Sequence, residues 1–151
     1  MKFTIDDLLS SIAGVLKTKY PDNPIYISPN QQGIKVPCFF IFLMPSMITD
    51  EVGERYMRDL GIDVIFVQER NIANGYSEIY EVLDFLDSNL SVISYSDGEN
   101  EAIPIHTFEN RSSIEDQELH YQFHVRQRVH IPQTSTLMRV LEDSNVKIKD
   151  Q

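Results

Sequence analysis

The side chains able to do chemistry here are four histidines, one cysteine, two closely spaced arginines and many carboxylates. His120 and His124 stand four residues apart. On a helix that spacing would aim both imidazoles at one ion. Here the surrounding residues alternate polar and apolar, so the pair is expected on a strand, ~13 Å apart and too far to share a metal. Only His106 or His130, brought in from a neighbouring strand, could complete a site. The simpler expectation is imidazoles standing in water on the polar face. Cys38 lies within Cys38-Phe39-Phe40-Ile41-Phe42 and is expected to be an inert buried thiol, because reactive thiols need electropositive, accessible surroundings. The glycines are scattered and build no phosphate loop, and no Gly-x-Ser-x-Gly or His-x-x-x-His motif occurs on a helix. Carboxylates are so frequent that a pair at catalytic distance carries no information. Arg126 and Arg128, with His124 and His130, form a modestly basic stripe outside any nucleic-acid-binding module, and its arginines are expected to pair with acids of the same or a neighbouring subunit. No catalytic, cofactor-binding or metal-binding residue is assigned.

The elements that carry these residues show in the hydrophobic pattern. Ile5, Leu8, Leu9, Ile12, Val15 and Leu16 recur at helical spacing behind Thr4 or Asp6 as cap, which predicts an amphipathic helix ending before Tyr20-Pro21. Ile25-Tyr26-Ile27 reads as a short strand. Val36 to Met44 reads as a central strand apolar on both faces, whose second cover could be another subunit. In Arg55 to Val67, Tyr56, Leu60, Ile62, Val64 and Phe66 share a face opposite Arg55, Asp59 and Asp63; Arg58 interrupts the apolar row and Gly61 suggests a bulge. A second helix, capped near Asn74, is expected to use Tyr76, Ile79, Tyr80, Leu83 and Leu86 inward and Glu78, Glu81 and Asp84 outward. Ile103 to Glu109 then reads as a strand and Asn110 to Asp116 as a turn. The clearest signal follows: Leu119, Tyr121, Phe123, Val125, Val129 and Ile131 alternate with His120, Gln122, His124, Arg126, Arg128 and His130. Such a strand would span ~43 Å, longer than a small core can cover.

This order, α-β-β-β-α-β-β, predicts an α+β single domain, a mostly antiparallel sheet with two amphipathic helices. The domain is expected over residues 1–132. After the linker-like Pro132-Gln133-Thr134-Ser135-Thr136, residues 133–151 read as a C-terminal extension or arm containing Leu137, Val140 and Leu141. The candidate subunit interface is therefore Tyr121, Phe123, Val125, Val129 and Ile131 with Arg126 and Arg128, joined by Leu137, Val140 and Leu141. Two expectations follow. Val125→Asp or Val129→Asp should harm assembly more than folding, and removing residues 133–151 should leave a folded domain that joins its partners poorly.

Charge narrows the function further. The net charge is −10, and residues 71–118 hold eleven acidic groups against the single base Arg111. That block disfavours nonspecific DNA binding and suits either solvent or a basic partner surface. The first residues lack the basic-then-apolar pattern of a secretion signal, and the apolar run Cys38–Met44 is too short for a membrane helix. A soluble protein made in the cytoplasm is expected, with no membrane partner.

One stretch carries a family resemblance. Tyr20-Pro21-Asp22-Asn23-Pro24-Ile25-Tyr26, then Gln32-Gly33-Ile34-Lys35-Val36-Pro37-Cys38-Phe39-Phe40-Ile41 and Arg55-Tyr56, with Leu119-His120-Tyr121-Gln122-Phe123 as a late strand, resembles the tail-terminator (tail-completion) proteins of phages and prophages of Gram-positive bacteria. The likeness covers residues 4–131. It implies a structural virion protein, assembled in the host cytoplasm, that closes into a homo-oligomeric, typically hexameric, ring on the tail tube. Such a ring ends tube polymerisation and contacts the tail tube protein, the neck, connector or head-completion protein and, in a contractile tail, the sheath. DNA passes through the lumen, where the acidic block would keep it from sticking. Another head–tail joining component is the alternative, and a small metal-dependent hydrolase using the histidines a remoter one.

Overall fold

The computed structural model describes residues 2–28, 33–70 and 75–130. The predicted Asn74 cap, together with Ile131, Leu137, Val140 and Leu141, lies outside them.

Helix α1 spans Ile5–Lys19. Thr4 caps it by accepting a hydrogen bond from the Asp7 amide at 3.1 Å, while Asp6 and Asp7 in the first turn and Lys17 and Lys19 in the last oppose the helix dipole. Leu8, Leu9, Ile12 and Leu16 form its buried stripe. Helix α2 spans Ser77–Asn89 and buries Ile79, Val82 and Leu86. This corrects the expected inner face: Tyr76 precedes the helix, and Tyr76 and Tyr80 are 43% and 54% exposed. Val82, three residues after Ile79, completes the buried stripe in place of Tyr80.

Among the described residues, seven strands form one curled sheet: β1 Ile25–Tyr26, β2 Cys38–Leu43, β3 Met47–Asp50, β4 Arg55–Val67, β5 Val92–Tyr95, β6 Ile103–Glu115 and β7 Glu118–His130. The order is β1-β2-β4-β7-β6-β5, with β3 beside β2 along the same edge of β4. Only β1–β2 is parallel; the other pairings are antiparallel. The fold is thus α+β with the helices in the expected order. Strands β3 and β5 are additions to the predicted set.

β4 and β7 are its spine, paired along all thirteen residues from Arg55↔His130 to Val67↔Glu118. That register runs through Gly61↔His124 without a bulge, which corrects the expectation at Gly61. Its reason for being glycine is space. A Cβ there would stand 2.9 Å from Met44 Cε, 3.1 Å from Met44 Cβ and 3.3 Å from His124 Cε1. The irregularity sits instead in β6, between Phe108 and Arg111, where Glu109 takes a φ of 54°. β6 then continues through the stretch expected to be a turn. The real turn is Asp116-Gln117, both at positive φ, joining Glu115 to its partner Glu118.

Both helices contribute to one core against the inward row of the sheet, Phe39, Ile41, Leu60, Ile62, Val64, Phe66, Leu119, Tyr121, Phe123 and Val125. The two faces of β2 are unequal, contrary to the expected double cover. Phe39 and Ile41 are fully buried, whereas Phe40 is half-buried and Phe42 is 37% exposed. Nor is β2 central, since only two-residue β1 separates it from the sheet edge.

Candidate assembly interface

On the outward face of the spine, the basic residues of β7 stand against acids of β4 and of the segment before it. His120 Nδ1–H donates to Asp63 Oδ2 at 3.1 Å, and His124 Nδ1–H to Asp59 Oδ1 at 2.9 Å. An ionised carboxylate can only accept, so the δ nitrogen of each ring is the donor in these bonds. Arg126 Nε donates to the other Asp59 oxygen at 3.2 Å, and its guanidinium lies 4.5 Å from the centre of the Phe108 ring. Arg128 Nε donates to Glu51 at 2.8 Å, and His130 Nε2 stands 3.1 Å from Glu54. The imidazoles expected to stand in water are therefore engaged with carboxylates. Each of these five basic side chains of β7 has a local acid, so the stripe offers little unspent charge to DNA. His106 stands apart from this row, on β6 opposite Val92. Among the described residues, no group of three metal-ligating side chains comes together.

Asp59 shows how the row is coupled to stability. Burial alone would push its carboxyl up, yet the bonds from His124 and Arg126 outweigh burial and hold it below its usual range. A carboxyl depressed in the folded state stabilises above its unfolded pKa, and that contribution fades as pH falls through the folded value. Asp59→Asn should therefore lower the melting temperature at pH 6 and flatten its further fall between about pH 4 and pH 2. Thermal unfolding monitored by circular dichroism across that range measures this. An acid slope identical to that of the unaltered chain would refute the role.

The spine also outruns its core. Leu119, Tyr121, Phe123 and Val125 are buried, but Val129 is only half-buried and Arg126 and Arg128 are exposed. Beyond Val125 the β6 side of β7 opens, because β6 leaves β7 after Thr107↔Val125 and pairs with β5 over Ile103–His106. On the other side, β3 pairs with β4 over Met47↔Asp59 to Asp50↔Tyr56. A three-stranded ribbon, β3–β4–β7, therefore extends past the helices. Its outer strand is exposed at every residue, with Met47 68% and Ile48 50% accessible, followed by Val52 at 82%. Exposed apolar side chains on an open strand edge are a site for another chain.

A family profile described as phage tail terminator protein matches residues 7–136. The chain belongs to that family. No curated protein matches it. The tail terminator family is structural rather than catalytic, it places the chain in the virion, and it implies association with other tail and neck proteins. No helix among the described residues is long and apolar enough to cross a membrane.

Of the residues expected at a subunit interface, Tyr121, Phe123 and Val125 belong to this domain's own core, at 2%, 0% and 0% exposure. Their alternation is real, but its apolar side faces α1 and α2. Arg126, Arg128 and Val129 remain accessible to another chain. Met47, Ile48 and Val52 went unnoticed in the sequence because the segment after Met44 has no period, and a strand exposed on both faces imposes none.

Proposed function

We propose that this chain is the ring-forming subunit of a tail terminator: it caps the tail tube, ends its polymerisation and joins the tail to the neck. The observation that carries the reading is the β3–β4–β7 ribbon, which extends beyond the core with Met47, Ile48 and Val52 uncovered. A chain with a core this complete needs no such extension to fold; a chain that must meet copies of itself and a tube does. Ring closure requires one surface to meet a different surface of the next copy, and the ribbon supplies the first. The exposed carboxylates of the β6–β7 hairpin, Glu109, Glu115 and Asp116, suit a lumen wall from which DNA must not be held. Residues 133–151 serve as an arm reaching the neck, and residues 1–132 as the ring-forming domain.

Negative-stain imaging of tubes polymerised from the cognate tail tube protein tests this. Tubes grown with the chain present should carry extra ring density at one end and stop lengthening when more tube protein is added. Met47→Asp combined with Val52→Asp should reduce capped ends on the order of tenfold, as charge placed in an apolar contact does. The chain ending at Pro132 should still cap tubes but fail to join them to necks. Tubes that keep growing from both ends in saturating chain would overturn the proposal, and ring density on isolated necks alone would assign the chain to another head–tail joining component.

A further inference from the structure

Arg58 is the cation that breaks the inward apolar row of β4, and the outward row of ion pairs does not involve it. It is half-buried opposite Gln127, two residues before fully buried Leu60. It lines a groove of about 630 Å³ at the end of the sheet where the ribbon leaves the core. Lys2 also lines the groove, and Phe3, Ile103 and Val129 give it apolar walls. Tyr95 closes the floor: it stacks on Phe3 at 5.1 Å, and its hydroxyl is spent, accepting from the Thr4 amide and donating to the Lys2 carbonyl. The ion pairs of the described residues leave Lys2 and Arg58 without a carboxylate. A half-buried guanidinium in that condition has lost solvation without regaining an anion, so an anion arriving from outside binds there at little further desolvation cost.

The opposite end of the domain offers the complement. Between Arg58 and Val67 the strand runs ~30 Å, and the start of α2 lies toward that far end, where the charge of Glu69, two residues after the strand, acts on Glu78. At the start of α2, Tyr76, which precedes the helix, and Tyr80 meet edge to face at 6.2 Å, and both are exposed. Asp84 follows Tyr80 by one helical turn, and Glu78, Glu81 and Asp87 are the other acids of the helix, which has no basic residue. Among these four, only Glu81 joins an ion pair within the described residues, to Lys19 at 3.3 Å. Burial, together with the charges of Glu69 and Glu81, pushes the Glu78 carboxyl up, the mark of acids crowded without enough cations. Two exposed tyrosines rimmed by acids match a groove with apolar walls and free cations in both character and sign.

We propose that the groove around Arg58 receives the Tyr76–Tyr80 face of α2 from a second copy of this chain. The two patches differ and lie at opposite ends of one domain, so each copy gives a knob to one neighbour and a groove to the other. This contact is head to tail, as ring closure demands, and it rests on the ring reading above.

Charge exchange tests it. Arg58→Glu and Asp84→Arg, each alone, should weaken association on the order of tenfold or more, read as lost rungs when the chain is cross-linked on tail tubes with glutaraldehyde. Mixed in equal amounts they should regain the full ladder. In alternating copies the carboxylate introduced at position 58 meets the guanidinium introduced at position 84, and the next contact pairs Arg58 with Asp84 as in the unaltered chain. Asp84 is exposed, so its variant reports on association even if Arg58→Glu folds poorly. A full ladder from the unaltered chain that neither variant shortens, or that mixing fails to restore, would overturn this contact and leave the ring standing. No ladder from the unaltered chain would overturn the ring and this contact with it.

Discussion

Val125→Asp should leave no cooperatively folded domain, while Val129→Asp, four residues along the same strand, should melt within a few degrees of the unaltered chain. Both side chains lie on the inward row of β7, opposite Leu60 and Tyr56 of β4. Val125 is 0% exposed in the core beneath the helices, where a carboxylate finds no cation or donor. An unpaired buried charge costs several kcal/mol, comparable with the whole stability of ~5–15 kcal/mol expected of such a domain. Val129 stands past the point where β6 turns away, on the half-covered ribbon, and water reaches an aspartate there. The two substitutions expected to act on assembly thus differ in burial: the first should act on folding, and the second leaves the fold free to report on association. Urea unfolding followed by far-ultraviolet circular dichroism separates them. A Val125→Asp protein with an unaltered transition would show that this part of β7 is not core.

The contrast also marks how far pattern could be read. An alternation of apolar and polar residues announced β7, and helical spacing announced α1, because one face of each is buried along much of its length and burial imposes a period. Where burial is missing, so is the period. β3 is exposed at all four residues, and from Glu109 onward β6 is exposed at every residue except Ile114, so its polar Asn110–Glu115 stretch looked like a turn. β5 is four residues long, too short to reveal its alternation beside α2. Register was beyond reach for another reason. That His124 meets Asp59 and His120 meets Asp63 depends on how β7 lies against β4, and each strand read alone gives only the face, not the partner. Arg58 was an anomaly visible in the sequence itself, and the structure places it in the groove at the end of the spine.

Phe39→Ala should be the most damaging truncation in β2, costing about 3–5 kcal/mol and lowering the melting temperature on the order of 10 °C. Phe39 is fully buried, 5.4 Å from the Tyr20 ring and 5.1 Å from Phe66, and Tyr20 in turn meets Phe85 edge-on at 5.5 Å. One ring therefore ties the end of α1, the second helix and two strands, and its removal leaves a cavity that α1 and α2 cannot fill without moving relative to the sheet. Phe40→Ala removes the same atoms from the other face, where Phe40 stacks on Phe42 at 5.6 Å and lies 5.3 Å from Tyr26. With one side of that stack open, the loss should be under about half as large. The comparison decides what the second face of β2 is for. If Phe40→Ala and Phe42→Ser melt nearly as the unaltered chain does but cap tubes poorly, the aromatic stack is cover for another subunit. If Phe40→Ala costs as much as Phe39→Ala, the outer face holds the monomer together, and the ribbon and the groove must carry the assembly without it.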